Sequence, residues 1–330
     1  MNTNDVLYIV VPCYNEEEVL PRTAKCLEEK LVALISAGRV SDRSKVLFVD
    51  DGSSDSTWNI IMELHKSNSM FSGLKLSRNR GHQNALLAGL MTVKDRCEIC
   101  ISMDADLQDD VNAVDQMIEK YREGCDIVYG VRSSRKKDNV FKRMTARGFY
   151  GIMKLMGAQT VYDHADYRLM SRRALEALSE FKEKNLFLRG IVPLIGFRSD
   201  TVPYERGERV AGKSKYPLRK MLAFAVDGIT SFSSRPLRYI TVAGFLIFLV
   251  SIVMIVSFIV QWALGGTVSG WASIVCSIWG MGGLIVLSLG IIGEYIGKIF
   301  VEIKQRPSFI VDELVDGNDG TGAEDGESTE

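Results

Sequence analysis

Asp104 and Asp106 stand one residue apart at the end of an apolar run, Ile99-Cys100-Ile101-Ser102-Met103, which reads as a short buried strand. Two carboxylates at a strand terminus can converge on one point. An oxygen-rich site of that kind suits a hard divalent cation, Mg²⁺ or Mn²⁺. The same spacing also describes a solvated turn, so the choice rests on the elements that place the pair.

Those elements repeat. Val6-Leu7-Tyr8-Ile9-Val10-Val11 reads as a strand ending at Pro12-Cys13-Tyr14-Asn15-Glu16-Glu17-Glu18, where Asn15 is expected to cap a helix with the acids in its first turn. Lys45-Val46-Leu47-Phe48-Val49 is a second strand, followed by the polar turn Asp50-Asp51-Gly52-Ser53-Ser54-Asp55 and a helix over 56–66. Gly73-Leu74-Lys75-Leu76 leads through Ser77-Arg78-Asn79-Arg80-Gly81-His82 into an Ala/Leu-rich helix to Val93. Apolar strands alternating with helices predict an α/β fold with a mostly parallel sheet covered on both faces. Ligands of such sheets sit outside the carboxyl ends of the strands. Asp50, Asp51, Arg78 and Asp104 are therefore expected along one crevice.

A formal charge of −1 over 330 residues argues against nucleic-acid binding, but it averages three unlike regions. Residues 132–147 carry seven Lys or Arg against Asp138 alone, residues 239–293 contain no charged residue or His, and residues 312–330 carry eight acids and no base. The six cysteines form no disulfide framework, and Cys97-x-x-Cys100 lacks the second pair or His that would complete a metal site. The N-terminus enters the first strand directly, so no signal peptide is expected.

Val11-Pro12-Cys13-Tyr14-Asn15-Glu16, Val49-Asp50-Asp51-Gly52-Ser53-Ser54-Asp55-Ser56-Thr57, Ser77-Arg78-Asn79-x-Gly81 and Asp104-Ala105-Asp106-Leu107-Gln108 resemble, in order, the motifs of family-2 glycosyltransferases with a GT-A (Rossmann-like) fold. Within that family the chain most resembles the polyprenyl-phosphate glycosyltransferases, over about residues 5–310. The resemblance implies that Pro12, Tyr14, Glu16, Asp51 and Arg78 serve the nucleotide-sugar donor. It also implies that Asp104, Asp106 and Gln108 face the diphosphate and its metal. Tyr162 to Arg173 is similar to the family's Asp-x-x-x-Phe-Arg-Leu stretch, with Tyr167 in the Phe position; there the resemblance implies a loop carrying a base, Asp166 first and Asp163 as alternative. Arg206 to Tyr216 is similar to the family's Arg-x-x-Gly-x-Ser-Lys-Tyr loop, whose Lys213 and Lys215 are expected on phosphate.

The basic segment, with Arg132 and Arg147, precedes an apolar face at helical spacing (Phe149, Tyr150, Ile152, Met153, Leu155, Met156). Basic plus amphipathic predicts contact with anionic headgroups or a lipid phosphate. The 55 uncharged residues are enough for two bilayer spans, roughly 239–263 and 272–296, split by Gly265-Gly266-Thr267-Val268-Ser269-Gly270. Arg235 and Arg238 before them and Lys298, Lys304 and Arg306 after them put both termini and the catalytic domain on the cytoplasmic side of the plasma membrane. The expected organisation is a GT-A domain over 1–215, an interfacial helix over 216–236, two transmembrane helices within 237–298, a cytoplasmic segment over 299–311 and a disordered acidic tail over 312–330. Gly280, Gly282, Gly283, Gly290 and Gly293 permit close helix packing within one chain or in a homo-oligomer.

These features lead to an expected inverting, metal-dependent transfer of a sugar, glucose from UDP-glucose first, onto undecaprenyl phosphate. UDP-N-acetylglucosamine, GDP-mannose or a UDP-aminoarabinose derivative remain as alternative donors, and an inactive membrane scaffold as an alternative to an enzyme. A processive polysaccharide synthase would carry Gln-x-x-Arg-Trp and more spans, which this sequence lacks.

Overall fold

The computed structural model describes residues 5–132, 164–184, 187–205 and 270–317, with isolated positions between 237 and 264. They fall into two compact units. One holds the sheet and the residues beyond Arg306; the other holds a long apolar helix.

The sheet is built from β1 (Leu7–Cys13), β2 (Lys45–Asp50), β3 (Phe71–Leu76), β4 (Ile99–Ser102), β5 (Ile127–Arg132), β6 (His164–Ser171), β7 (Ser199–Tyr204) and β8 (Val311–Val315). Their order is β7-β5-β6-β4-β1-β2-β3-β8. β4, β1, β2 and β3 are mutually parallel, as are β5 and β7, whereas β6 runs antiparallel to both β4 and β5. All seven residues of β1 and all six of β2 are buried, which is why both read as unbroken apolar runs rather than alternating ones. The helices α1 (Leu20–Ser36), α2 (Thr57–Ser67), α3 (His82–Val93) and α4 (Ala113–Arg122) follow the first four strands. Leu20, Ala24, Leu27, Leu31 and Leu34 place one stripe of α1 in the core. Two short helices, α5 (Arg172–Ser179) and α6 (Leu188–Leu194), follow β6.

Three expectations are corrected here. Asn15 does not cap a helix: its φ is 54°, and α1 begins only at Leu20, beyond the three acids. The stretch around Asp166, expected as a loop, is strand β6, held in register against β4 and β5. The acidic tail does not start at 312. Val311–Val315 pairs antiparallel with the edge strand β3, and Asp316 is buried against Lys45 and Arg96. Acid-rich composition hid this strand, because its stability comes from partners more than 200 residues away.

The second unit contains α7 (Trp271–Ile303), 33 residues and so about 50 Å long. Its segment Met281–Ile303 has a mean hydropathy of 1.9 with no buried share, and it is the one helix among the described residues long and apolar enough to cross a membrane. The second expected span lies inside α7. The first, 239–263, is described at scattered positions, helical where described, whereas the interfacial helix and residues 318–330 lie outside the described residues.

Candidate functional site

The sheet opens at its carboxyl edge between β1 and β4. Their pairing ends at Val10 and Ser102, while β1 continues along β2 to Cys13. Pro12 lacks an N–H and so falls where β4 no longer needs one. The strand order changes direction at this point, the place where sheets of this kind leave a crevice.

One wall of the crevice is a pair of stitched loops. Asn15 donates its N–H to Ser53 Oγ at 3.0 Å and accepts from the Ser54 N–H at 2.9 Å. Glu16 N–H donates to Thr57 Oγ1, and Glu17 accepts from the Ser56 N–H, both at 2.9 Å. Asn15 therefore uses its left-handed backbone and its amide to join two strand ends. Pro12 is buried in β1, Glu16 is partly exposed, and Tyr14 stands 47 % exposed, an aromatic face open to a planar ligand.

Asp51 is buried and accepts from the N–H groups of Arg80 at 2.7 Å and Gly81 at 2.8 Å. Burial raises its pKa, and those two donors oppose the rise. Gly52 is required: its φ is +68°, and a Cβ there would lie 2.6 Å from the backbone of Arg78 and Asn79. The second and third loops thus touch backbone to backbone, and Arg78 projects exposed from that contact. Asp50 is fully buried and accepts from the Ser53 N–H at 3.2 Å, whereas its Oδ2 has no partner among the described residues.

The opposite wall is the loop between β4 and α4. Asp104 and Asp106 are partly exposed, and Gln108 is buried with its N–H on Asp106 Oδ1 at 3.2 Å. Burial, with the charges of Asp166 and Asp106, raises the pKa of Asp104. Antiparallel β6 brings Asp166 to the same edge, because Arg168 registers with Ser102. Ser102 Oγ donates to the Asp166 carbonyl at 2.5 Å.

Asp166 is almost completely enclosed by donors. Arg168 Nη2 donates to it at 2.7 Å, Arg189 Nε and Nη2 at 3.2 and 3.0 Å, and Gln83 Nε2 at 3.4 Å. Burial alone would raise its pKa, but His82 and the two guanidinium groups outweigh it and hold the carboxyl well below the usual carboxylate range. A carboxylate so stabilised is a weak proton acceptor. His82 at the start of α3 spans the walls, with Nε2 3.5 Å from Asp104 and 3.6 Å from Asp166. Burial disfavours charge on His82, yet the two carboxylates prevail and raise its pKa.

Arg132 ends β5 at this edge, with Nε 3.4 Å from Tyr204 Oη. Asp163, Arg147, Lys213 and Lys215 lie outside the described residues. Sequence reasoning missed His82, Gln83, Arg168, Arg189, Asp109 and Tyr204. His82 and Gln83 directly follow a recognised motif and Asp109 directly follows Gln108, whereas Arg189 and Tyr204 carry no local signal. Among the described residues no three His, Cys, Asp or Glu side chains group as a metal site. Two carboxylates and an amide oxygen nevertheless fit Mg²⁺ or Mn²⁺, which take few protein ligands when substrate phosphates complete the shell.

Residues 8–179 match the model of the family described as glycosyl transferase family 2. An uncharacterized glycosyltransferase, YkoT, of Bacillus subtilis (strain 168) is 54 % identical over 307 residues, 93 % of this chain and 91 % of that protein. The SfII prophage-derived bactoprenol glucosyl transferase of Shigella flexneri is 37 % identical over 315 residues, 94 % of this chain and 98 % of that protein. Among solved structures, mannosyl-3-phosphoglycerate synthase from Rubrobacter xylanophilus aligns with a TM-score of 0.47 and 16 % identity, over 71 % of this chain and 74 % of that one.

Proposed function

From the premise that the chain belongs to glycosyl transferase family 2 and is a glycosyltransferase, we propose that it moves glucose from UDP-glucose to undecaprenyl phosphate, or another polyprenyl phosphate, at the cytoplasmic face of the plasma membrane. The carrying observation is the crevice itself: Asp104 and Asp106 on one wall, Tyr14 and Asp51 on the other, and Asp166 beside the pair on an inserted antiparallel strand. The near-full-length relative named for bactoprenol glucosyl transfer and the exposed apolar surface of α7 support a lipid acceptor.

In the reaction, an acceptor phosphate oxygen bonds to the anomeric carbon as the bond to the donor diphosphate breaks, from opposite faces, inverting the configuration. A phosphate monoester has a second pKa of about 6, so near neutral pH the acceptor is largely a dianion and needs little deprotonation. Asp166, ionised and fixed by Arg168 and Arg189, orients sugar or acceptor rather than abstracting a proton. Tyr14 stacks on the base, and Asp51 shapes the donor pocket through the residues 80–81 backbone. Arg132, with Lys213 and Lys215, holds phosphate. Asp106 and Asp104, with Gln108, would hold Mg²⁺ or Mn²⁺, which offsets charge on the departing diphosphate.

The test is incubation of purified full-length protein with Mn²⁺, polyprenyl phosphate and labelled UDP-glucose, UDP-N-acetylglucosamine, GDP-mannose and a UDP-aminoarabinose derivative. Label is expected in lipid from UDP-glucose. Label from a different donor changes the sugar assignment, and none from any donor refutes the reading.

A further inference from the structure

Residues 109 and 110, directly after the Asp104–Gln108 loop, are held by two tyrosine hydroxyls from different strands, one on the Asp109 carboxylate and one on the Asp110 backbone carbonyl. Tyr204 of β7 donates to Asp109 Oδ1 at 2.5 Å, and Tyr167 of β6 donates to the Asp110 carbonyl at 2.9 Å. Their rings meet edge to face, with centroids 5.3 Å apart and planes at 85°, the arrangement ring quadrupoles favour. Position 130 of β5 must be Gly to admit both: a Cβ there would lie 2.7 Å from the Tyr167 ring and 3.1 Å from the Tyr204 ring. The Tyr204 hydroxyl also accepts from Arg132 Nε at 3.4 Å, and Tyr204 and Arg132 are register partners.

The loop these hydroxyls hold is strained. Leu107, between Asp106 and Gln108, has a φ of 52°. A side-chain-bearing residue persists there only where its surroundings fix it.

We infer that Tyr167 and Tyr204 are positioning residues for the cation-binding loop, and that Tyr204 also sets the spacing between that loop and Arg132 on the phosphate side. Tyr167 secures the backbone alone. Tyr204, with one hydroxyl on both Asp109 and Arg132, couples the two halves of the polar site. The inference rests on the proposed role of Asp106 as a cation ligand.

The experiment measures Mn²⁺ binding to the full-length protein through the electron paramagnetic resonance signal of free Mn²⁺, in wild type, Tyr167→Phe, Tyr204→Phe and Asp106→Ala. Each Phe variant keeps its ring and loses one hydroxyl, so binding is expected to weaken about two- to tenfold. The thermal midpoint falls by no more than about 4 °C, and amide exchange accelerates over residues 105–110 but not in β1. At saturating Mn²⁺, Tyr204→Phe raises the acceptor KM more than it lowers kcat, whereas Tyr167→Phe leaves that KM unchanged. Wild-type Mn²⁺ affinity in both Phe variants, with binding lost in Asp106→Ala, overturns the inference and leaves the ligand assignment standing. Wild-type affinity in Asp106→Ala overturns the ligand assignment and the inference with it.

Discussion

Replacing Asp166 by Asn removes one negative charge from between two guanidinium groups. Arg168 is 1 % exposed and Asp166 5 %, and they meet at 2.7 Å, so the substitution leaves a cation buried without its counter-charge. Removing one partner of a buried pair costs about 3–5 kcal/mol. The lower end applies here, because Arg168 keeps the Leu188 carbonyl at 3.3 Å and the Asn oxygen still accepts a hydrogen bond. Arg189 is 37 % exposed, and solvent screening makes its share small. A loss of about 3 kcal/mol corresponds to a fall of about 6–12 °C in the thermal midpoint for a domain of this size. The folded-state pKa of Asp166 is depressed, so its stabilisation is present above the unfolded carboxylate value of about 3.9 and is lost only as pH falls below it. The carboxylate itself stays ionised from pH 6 to 8, but it also helps raise the pKa of His82, a contribution lost as pH rises, so differential scanning fluorimetry should show a deficit at each pH that is larger at pH 6 than at pH 8. Transfer measured across that range should fall by one constant factor, with the acidic limb set by the acceptor phosphate in both proteins. A midpoint unchanged within about 1 °C would refute the buried-pair argument, and a rate loss that shrinks as pH rises would mark Asp166 as a base after all.

Gly52→Ala forces a Cβ to within 2.6 Å of the Arg78 and Asn79 backbone at a φ of +68°. It should raise the donor KM at least about tenfold through displacement of that loop, a loss of about 1.4 kcal/mol, while the acceptor KM changes little; steady-state kinetics with both substrates varied decides. Asp316→Asn should destabilise the sheet unit by about 3 kcal/mol at pH 7 in urea unfolding, since its 3 % exposed carboxylate meets Lys45, Arg96 and Ser72. Its folded-state pKa is lowered, so that deficit should begin to shrink as pH falls below about 4 and be lost only as pH passes the lowered folded-state value; a deficit unchanged at pH 3.5 contradicts the ionic origin. Chelation by EDTA should abolish transfer, and Mn²⁺ should restore it in wild type but not in Asp106→Ala; full transfer in EDTA excludes the cation.

Much of the fold was legible because it is local. Unbroken apolar runs such as 45–49 and 99–103, each followed by a polar turn and an amphipathic stretch, can bury themselves only as parallel strands under helices. The loops carrying Asp51, Gly52, Arg78, Asp104 and Asp106 then necessarily fall on one sheet edge. β6 and β8 were not legible in this way. β6 joins β4 to β5 against the direction of its neighbours, and that choice depends on pairing between segments tens of residues apart. β8 is five residues with two acids, whose order comes from the unpaired edge of β3 and from Asp316 beneath it.

By itself, then, the amino-acid order determined the strand ends, the acidic pair, and the basic and apolar segments. Only the tertiary structure decided how tightly each carboxylate holds its proton. Asp104, Asp109 and Asp166 are indistinguishable as residue types, yet burial and like charge raise the pKa of the first two, Asp109 to about 6, while Arg168 and Arg189 depress that of the third. The free energy of a carboxylate is set by the charges and donors that surround it, and here those arrive from strands and helices far away in the chain.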